Sequence, residues 1–273
     1  MGTLYIVGTP IGNLEDISLR ALRILDEVDL IAAEDTRRTR KLLTRYEINT
    51  PLTSYHEHNK LTRQDELLST LQQKDVALVS EAGMPGLSDP GYEFINAAIA
   101  RGIPVAPVPG PSALITALVV SGLPTDSFLF LGFLPRRQKQ RRQLLASVAG
   151  ESRTLVAFEA PHRLRASLAD LKEVLGDRRI ALARELTKMH EEVWRGSISQ
   201  ALVHFEENSP RGEFTLVIEG AREERVAWDE RQVMEALADL MAEGVDKKEA
   251  VKAVADLAGW PKREVYKVAL REG

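Results

Sequence analysis

The stretch Val76-Ala77-Leu78-Val79-Ser80-Glu81-Ala82-Gly83-Met84-Pro85-Gly86-Leu87-Ser88-Asp89-Pro90-Gly91 decides how this chain folds. Its apolar start predicts a strand buried on both faces, which then runs straight into a loop shaped by glycine and proline. Gly83, Gly86 and Gly91 permit conformations and close approaches that a side chain would block, while Pro85 and Pro90 stiffen the path. A loop of this kind presents its main chain to a ligand, and in alternating strand and helix proteins ligands sit at the carboxyl ends of strands.

Two more strand ends carry the same chemistry. Leu4-Tyr5-Ile6-Val7 leads into Gly8-Thr9-Pro10-Ile11-Gly12-Asn13, and Val105-Ala106-Pro107-Val108 leads into Pro109-Gly110-Pro111-Ser112-Ala113. That is more glycine and proline than turns alone require. None of the loops ends in Gly-Lys-Ser/Thr, and Gly8 to Gly12 is not the dinucleotide fingerprint, so neither a triphosphate nor NAD is expected. A neutral or positively charged small molecule held by carbonyls and a few amides fits better.

Outward from these loops, residues 3 to 122 alternate strands (3–7, 30–34, 51–55, 76–80, 104–108) with helices (18–28, 36–46, 62–73, 91–101, 111–121), which predicts a parallel sheet with crossover helices. Gly122-Leu123-Pro124-Thr125-Asp126 reads as a linker. A second α/β unit follows, with strands at 128–131, 154–158, 180–183 and 214–218 and helices at 138–148, 162–175 and 197–207. Beyond Gly220, Val233, Leu237, Leu240 and Met241 mark one helical face, Asp246 with Glu249 predicts a capping box, and Gly259 and Pro261 separate a last helix. The expected division is 1–122, 123–222 and 223–273. The lysines and arginines of the last part suit equally an RNA contact or a solvated packing tail.

The chain has 273 residues, 44% of them hydrophobic, which is ample for packed cores. Cysteine is absent, which removes disulfides, thiolate metal sites and cysteine nucleophiles. No basic segment followed by a long apolar run opens the chain, and the longest apolar stretch, Ala113 to Val120, is too short for a bilayer, so a soluble, cytoplasmic protein is expected. The net charge of −4 argues against indiscriminate nucleic-acid binding. The cations are nevertheless clustered. Arg37, Arg38, Arg40, Lys41 and Arg45 crowd one predicted helix, and Arg136, Arg137, Lys139, Arg141 and Arg142 fill five of seven consecutive positions. Each cluster alone suits a solvated helix face, but two flanking one ligand region favour an anionic partner. His56-Glu57-His58 reads as a polar strand end rather than a metal pair, and no metal is expected.

Taken in order, Gly8-Thr9-Pro10-Ile11-Gly12-Asn13, Ala33-Glu34-Asp35-Thr36-Arg37, Ser80 to Gly91, Gly110-Pro111-Ser112-Ala113, Gly132-Phe133-Leu134-Pro135, Phe158-Glu159-Ala160-Pro161-His162-Arg163 and Ala183-Arg184-Glu185-Leu186-Thr187-Lys188 resemble the tetrapyrrole methylase superfamily, in particular its small-subunit ribosomal RNA branch. The resemblance runs from about residue 3 to 220 and into the helical tail. It implies two α/β domains with a cleft between them, a small C-terminal helical module, and a homodimer. It also implies a bacterial enzyme dependent on S-adenosyl-L-methionine that methylates the ribose 2′-hydroxyl of a decoding-site cytidine in 16S ribosomal RNA of the small subunit.

By position in the resembling motifs, Pro10, Ala82, Gly83, Met84, Pro85, Gly86, Ser112 and Ala113 are expected to line the cofactor pocket from the first domain. Phe158, Glu159, Arg184, Glu185 and Phe214 are expected to close it from the second. A sulfonium donor carries no phosphate, which agrees with loops that lack a lysine cradle. The ribose hydroxyl is a weak acid, so a base or an oxyanion-stabilising cation is needed, and Lys188 and Glu185 are the candidates, with Glu81 and His162 behind them. As a base, Lys188 would need a lowered pKa; a structural ion pair with Glu185 is the plainer alternative. Arg37, Arg38, Arg40, Lys41, Arg136, Arg137, Arg141 and Arg142 are the expected RNA contacts. A methylase of the same superfamily acting on a tetrapyrrole or protein acceptor, and a non-catalytic RNA-binding assembly protein, are the competing readings. Asp35 is expected to cap the helix that follows it.

Overall fold

A computed structural model describes residues 1–56, 59–222 and 228–270. The described chain forms two compact units, Met1–Ala221 and Arg222–Gly273. Of the His56-Glu57-His58 run, Glu57 and His58 lie outside the described residues.

The first unit holds two sheets. The strands β1 (Leu4–Val7), β2 (Leu30–Ala33), β3 (Leu52–Ser54), β4 (Val76–Val79) and β5 (Val105–Val108) form one sheet in the order β3-β2-β4-β1-β5, every pair parallel. The crossovers are α1 (Leu19–Glu27), α2 (Thr36–Arg45), α3 (Lys60–Thr70) and α4 (Tyr92–Ala100). All of β4 is buried because it is paired on both edges and covered on both faces, which is why its sequence is apolar without alternation. Pro107, which has no N–H to donate, falls on the edge strand β5, where a ladder bond can be spared. One face packs Ile24, Leu25, Leu42 and Leu43 over the sheet. The other packs Leu67, Leu71 and Phe94, with the Tyr55 and Phe94 rings 5.3 Å apart. Each such side chain contributes about 1.5–3 kcal/mol on burial.

This strand order places the three glycine loops side by side, because β4, β1 and β5 are neighbours. Thr9 and Gly83 exchange backbone hydrogen bonds of 2.9 and 3.0 Å, tying the loop after β1 to the loop after β4. The sheet reverses its winding at this point, where open α/β folds bind ligands.

The helix α5 (Ala113–Val120) leaves the first sheet and packs on the second, which comprises β6 (Phe128–Phe133), β7 (Thr154–Glu159), β8 (Arg179–Arg184), β9 (Glu192–Ser197) and β10 (Phe214–Ile218). Its order is β6-β7-β10-β8-β9, and only β6 and β7 run parallel; β10 is inserted antiparallel between β7 and β8. The helices α6 (Gln138–Ser147), α7 (Leu164–Leu175) and α8 (Ile198–Glu207) cover one face of this sheet. The other face shares a single core with the first half, in which Ile11, Leu114 and Leu118 meet Val156, Ala183, Leu186 and Val217.

The second unit consists of α9 (Glu230–Ala242), α10 (Lys247–Ala258) and α11 (Lys262–Ala269) around Val233, Leu237, Val254, Val265 and Val268. Its reciprocal capping box is Asp229 with Gln232; Asp246 instead accepts from the Lys248 N–H at 3.0 Å, one residue short of the expected Glu249 partner. Gly259 ends α10 in the left-handed region at φ +67°. Among the described residues, no helix is long and apolar enough to cross a membrane.

Candidate active site

Between the two sheets of the first unit lies a cavity of about 360 Å³, within the usual range for small-molecule sites. Ala82, Gly83 and Met84 from the loop after β4, and Ser112 and Ala113 at the start of α5, form one wall. Phe158 and Glu159 of β7, Phe214 of β10, and Glu185 and Lys188 after β8 form the opposite wall. These expected residues are therefore brought together. Four others stand outside the lining: Pro10 and Pro85 are buried, Gly86 supplies a turn at φ +81°, and Arg184 reaches Glu192 on β9 at 3.2 Å.

The glycines act partly on each other. A Cβ on Gly110 would stand 2.7 Å from Gly8 backbone atoms, so the loops after β1 and β5 touch main chain to main chain. Likewise a Cβ on Gly12 would meet Lys188 Cγ at 2.5 Å. The bare backbone there lets the first loop reach the turn after β8, where the Asn13 N–H donates to Thr187 Oγ1 at 3.0 Å. In that turn Glu185 and Thr187 hold φ of +48° and +65°, backbone strain of a kind that gathers at functional sites.

Lys188 Nζ donates to Glu185 Oε1 and Glu213 Oε2, each at 3.0 Å. Burial opposes its charge, but the two carboxylates outweigh burial and hold its pKa above the usual lysine value. This corrects the expectation of Lys188 as a base: it is a firmly protonated ammonium with no lone pair to offer. Burial also works against ionised Glu185, yet the Glu213 N–H and Lys188 outweigh it and lower its pKa, which makes it a weak proton acceptor. Glu159 lines the cavity with its oxygens engaged by the Ala160 N–H, the Ser167 hydroxyl and Arg163.

The carboxylates Glu34, Glu81 and Asp89 also face the cavity. Burial, assisted by Glu34 and Glu81, pushes Asp89 up to about 7 against a hydrogen bond with Ser80. The sequence reading did not single out Asp89, although it lies in the quoted stretch, nor Glu213, which directly precedes Phe214. Phe133 is a further aromatic wall, its ring 5.3 Å from that of Phe158.

The basic clusters separate into two kinds. Asp35 caps α2 through the Arg37 and Arg38 N–H groups at 2.7 and 3.1 Å, which holds its own pKa down. Arg37, Arg40 and Lys41 are exposed on that helix, and Arg38 pairs with Glu81 at the cavity rim. Arg136 and Arg137 are exposed a few residues past Phe133. Arg141 is a correction. Its side chain is only 4% exposed and donates to Asp170 at 2.8 Å, so it is core structure and cannot meet a phosphate. Arg142 is committed to Asp170 at 2.7 Å and to Glu173.

Residues 3–202 match the family model described as Tetrapyrrole (Corrin/Porphyrin) Methylases, and residues 227–273 match the one described as RsmI C-terminal HTH domain. Cobalt precorrin-4 methyltransferase has a similar structure at a TM-score of 0.62 and 16% identity, over 80% of this chain and 94% of that one. Diphthine synthase is similar at 0.62 and 14%, over 80% and 90%. The family match over residues 3–202 thus defines a methylase of the tetrapyrrole class, and the solved structures share its fold. Ribosomal RNA small subunit methyltransferase I of Synechocystis sp. is 50% identical over 99% of this chain and 98% of its own length. Its namesake in Bacillus subtilis is 46% identical over 97% and 93%. The chain belongs to the tetrapyrrole methylases and, within them, to the ribosomal RNA small subunit methyltransferase I family.

Proposed function

We propose that this protein transfers the methyl group of S-adenosyl-L-methionine to the ribose 2′-hydroxyl of a decoding-site cytidine in 16S ribosomal RNA, acting on the small ribosomal subunit in the cytoplasm. The observation that carries the reading is an acidic, aromatic cavity with exposed arginines beside its wall-forming loops. The donor brings a sulfonium and an ammonium but no phosphate. The charged groups lining the cavity are Glu34, Glu81, Asp89, Glu159, Glu185 and Glu213, with Lys188 as the cation, so the lining fits such a ligand. The bound donor supplies an already activated methyl carbon, and the protein's main task is alignment. Met84, Phe158 and Phe214 supply apolar wall, and the glycine loops offer carbonyls and amides. We assign residues 1–122, 123–222 and 223–273 as its working parts.

Lysine has three donors, and two of those on Lys188 are held by Glu185 and Glu213. The third can support charge developing on the acceptor oxygen. Lys188→Ala is expected to lower turnover by about 100-fold, the scale of one lost oxyanion donor, and to change donor affinity much less. Steady-state kinetics beside calorimetry checks this, and wild-type turnover in the variant would remove Lys188 from the chemistry.

Arg37, Arg40, Arg136 and Arg137 are assigned to RNA phosphates. Neutralising them together should weaken binding to small-subunit particles and flatten the salt dependence by about 0.7–0.9 log units for each lost contact. An unchanged slope would refute this surface. The activity itself is tested by incubating unmodified particles with methyl-labelled donor and mapping the labelled nucleotide; no incorporation, or label on a base, would overturn the reading. A homodimer is supported by α5, which buries Leu114, Ala117 and Leu118 yet leaves Ile115 and Val119 exposed on its other side.

A further inference from the structure

Alignment leaves one proton unaccounted for. As the ribose oxygen bonds the methyl carbon and the carbon–sulfur bond breaks with its electron pair going to sulfur, the hydroxyl proton must go to an acceptor. Around the cavity most titratable groups are already engaged. Lys188 is protonated, and Glu185 and Glu213 hold its ammonium. The oxygens of Glu159 serve Arg163, Ser167 and the Ala160 N–H. Glu81 is paired with Arg38 of α2, and Glu34 accepts the Glu81 N–H at 3.1 Å. His56 faces Glu34 from beyond β3.

Burial pushes the Glu34 carboxyl up as well, and Asp89 differs from it in the larger size of its shift and in meeting a neutral hydroxyl, Ser80, rather than a main-chain N–H or a cation. Asp89 lines the cavity from a loop whose preceding residue, Ser88, is held at φ +63°, a conformation that costs energy for any residue but glycine. Its charged neighbours are Glu34 from the loop after β2 and Glu81 from its own loop, both repelling a negative charge, while Ser80 offers a hydrogen bond. Such surroundings keep a carboxylate reluctant to ionise and ready to take a proton back.

We propose that Asp89 is the general base that receives the 2′-hydroxyl proton during methyl transfer. The assignment rests on the methyltransferase reading above. Its carboxyl, poised near 7, matches the pH at which a base is both ionised and basic enough to help. A loss of one hundred-fold or more in turnover is the usual scale for such a group.

The test has three arms. In the donor-free protein, carboxyl carbon NMR, assigned by difference against Asp89→Asn, should show Asp89 titrating near 7. With saturating donor and small-subunit particles, wild-type kcat should fall towards acid pH, with its limb at or below about 7 because the positive charges of the bound donor favour the ionised carboxyl. In Asp89→Asn kcat should drop about 100-fold and lose that acid limb, with calorimetric donor affinity retained. Asp89→Glu should restore part of the turnover with a displaced limb, and it serves if the asparagine variant does not fold. A purely structural residue would move affinity and turnover together and leave the limb in place. Titration in the ordinary carboxylate range, or an unchanged limb in either variant, overturns the assignment alone. No transfer by the wild-type protein overturns the methyltransferase reading and the assignment with it.

Discussion

Asp170→Ala is expected to lower the unfolding free energy by about 3–5 kcal/mol, because it leaves a buried guanidinium without its counter-charge. The Asp170 carboxylate is 1% exposed and binds Arg141 Nε at 2.8 Å, Arg142 Nε at 2.7 Å and Gln138 Nε2 at 3.1 Å. Burial alone would raise its pKa, but these donors outweigh burial and hold it below the ordinary value. A carboxylate shifted in that direction contributes stability above its unfolded pKa of about 3.9 and loses it as pH falls through the lower folded value. The deficit of the alanine variant should therefore be full at neutral pH and shrink in strong acid. Urea titrations across pH measure it, with the midpoint moving and the slope constant. A deficit under about 1 kcal/mol would mean that water reaches the pair and that Arg141 is free to serve elsewhere.

Gly110→Ala is expected to lower turnover by about 100-fold, the scale for reactants misplaced by about an ångström, and to weaken donor binding with it. The added Cβ would lie 2.7 Å from Gly8 Cα, C and O. Backbone cannot swing aside as a side chain can, and Gly8 is tied through Thr9 to Gly83. The loops after β1 and β5 must part, and overpacking of this kind also costs about 1–3 kcal/mol of stability. Gly150→Ala, where nothing lies within 4 Å of the new methyl, is the matched control. Steady-state kinetics and calorimetry with the donor decide: wild-type turnover and affinity in Gly110→Ala would show that the three loops do not form its binding wall.

Local chemistry made much of this legible in the sequence. The first sheet announced itself because its apolar strands are separated by helices, α1 and α2 opened by the Ser18 and Asp35 caps, and most observed ends fall within a residue or two of those expected. The edge strand β9 escaped notice because Glu192 to Ser197 is nowhere fully buried and carries little alternation. The antiparallel insertion of β10 was equally hidden, since a strand's own residues do not name its neighbours. The same blindness to distant partners explains the site. Arg141 looked like one more surface cation because Asp170, on α7, is 29 residues away. Asp89 lay in plain view in the quoted loop, yet its character depends on burial first and on Glu34 after β2 next, both supplied only by folding. The glycine loops were readable because their requirement is intrinsic to each residue.

The shared packing of Ile11, Leu114 and Leu118 with Val156, Ala183, Leu186 and Val217 has a bearing on turnover. Walls joined by common hydrophobic contacts resist moving apart, because parting them would expose that apolar surface to water, so a guest enters a chamber whose outline is already drawn. Little organising work is left for the moment of docking, and reactants held in so stiff a frame keep their mutual orientation while the bond changes hands.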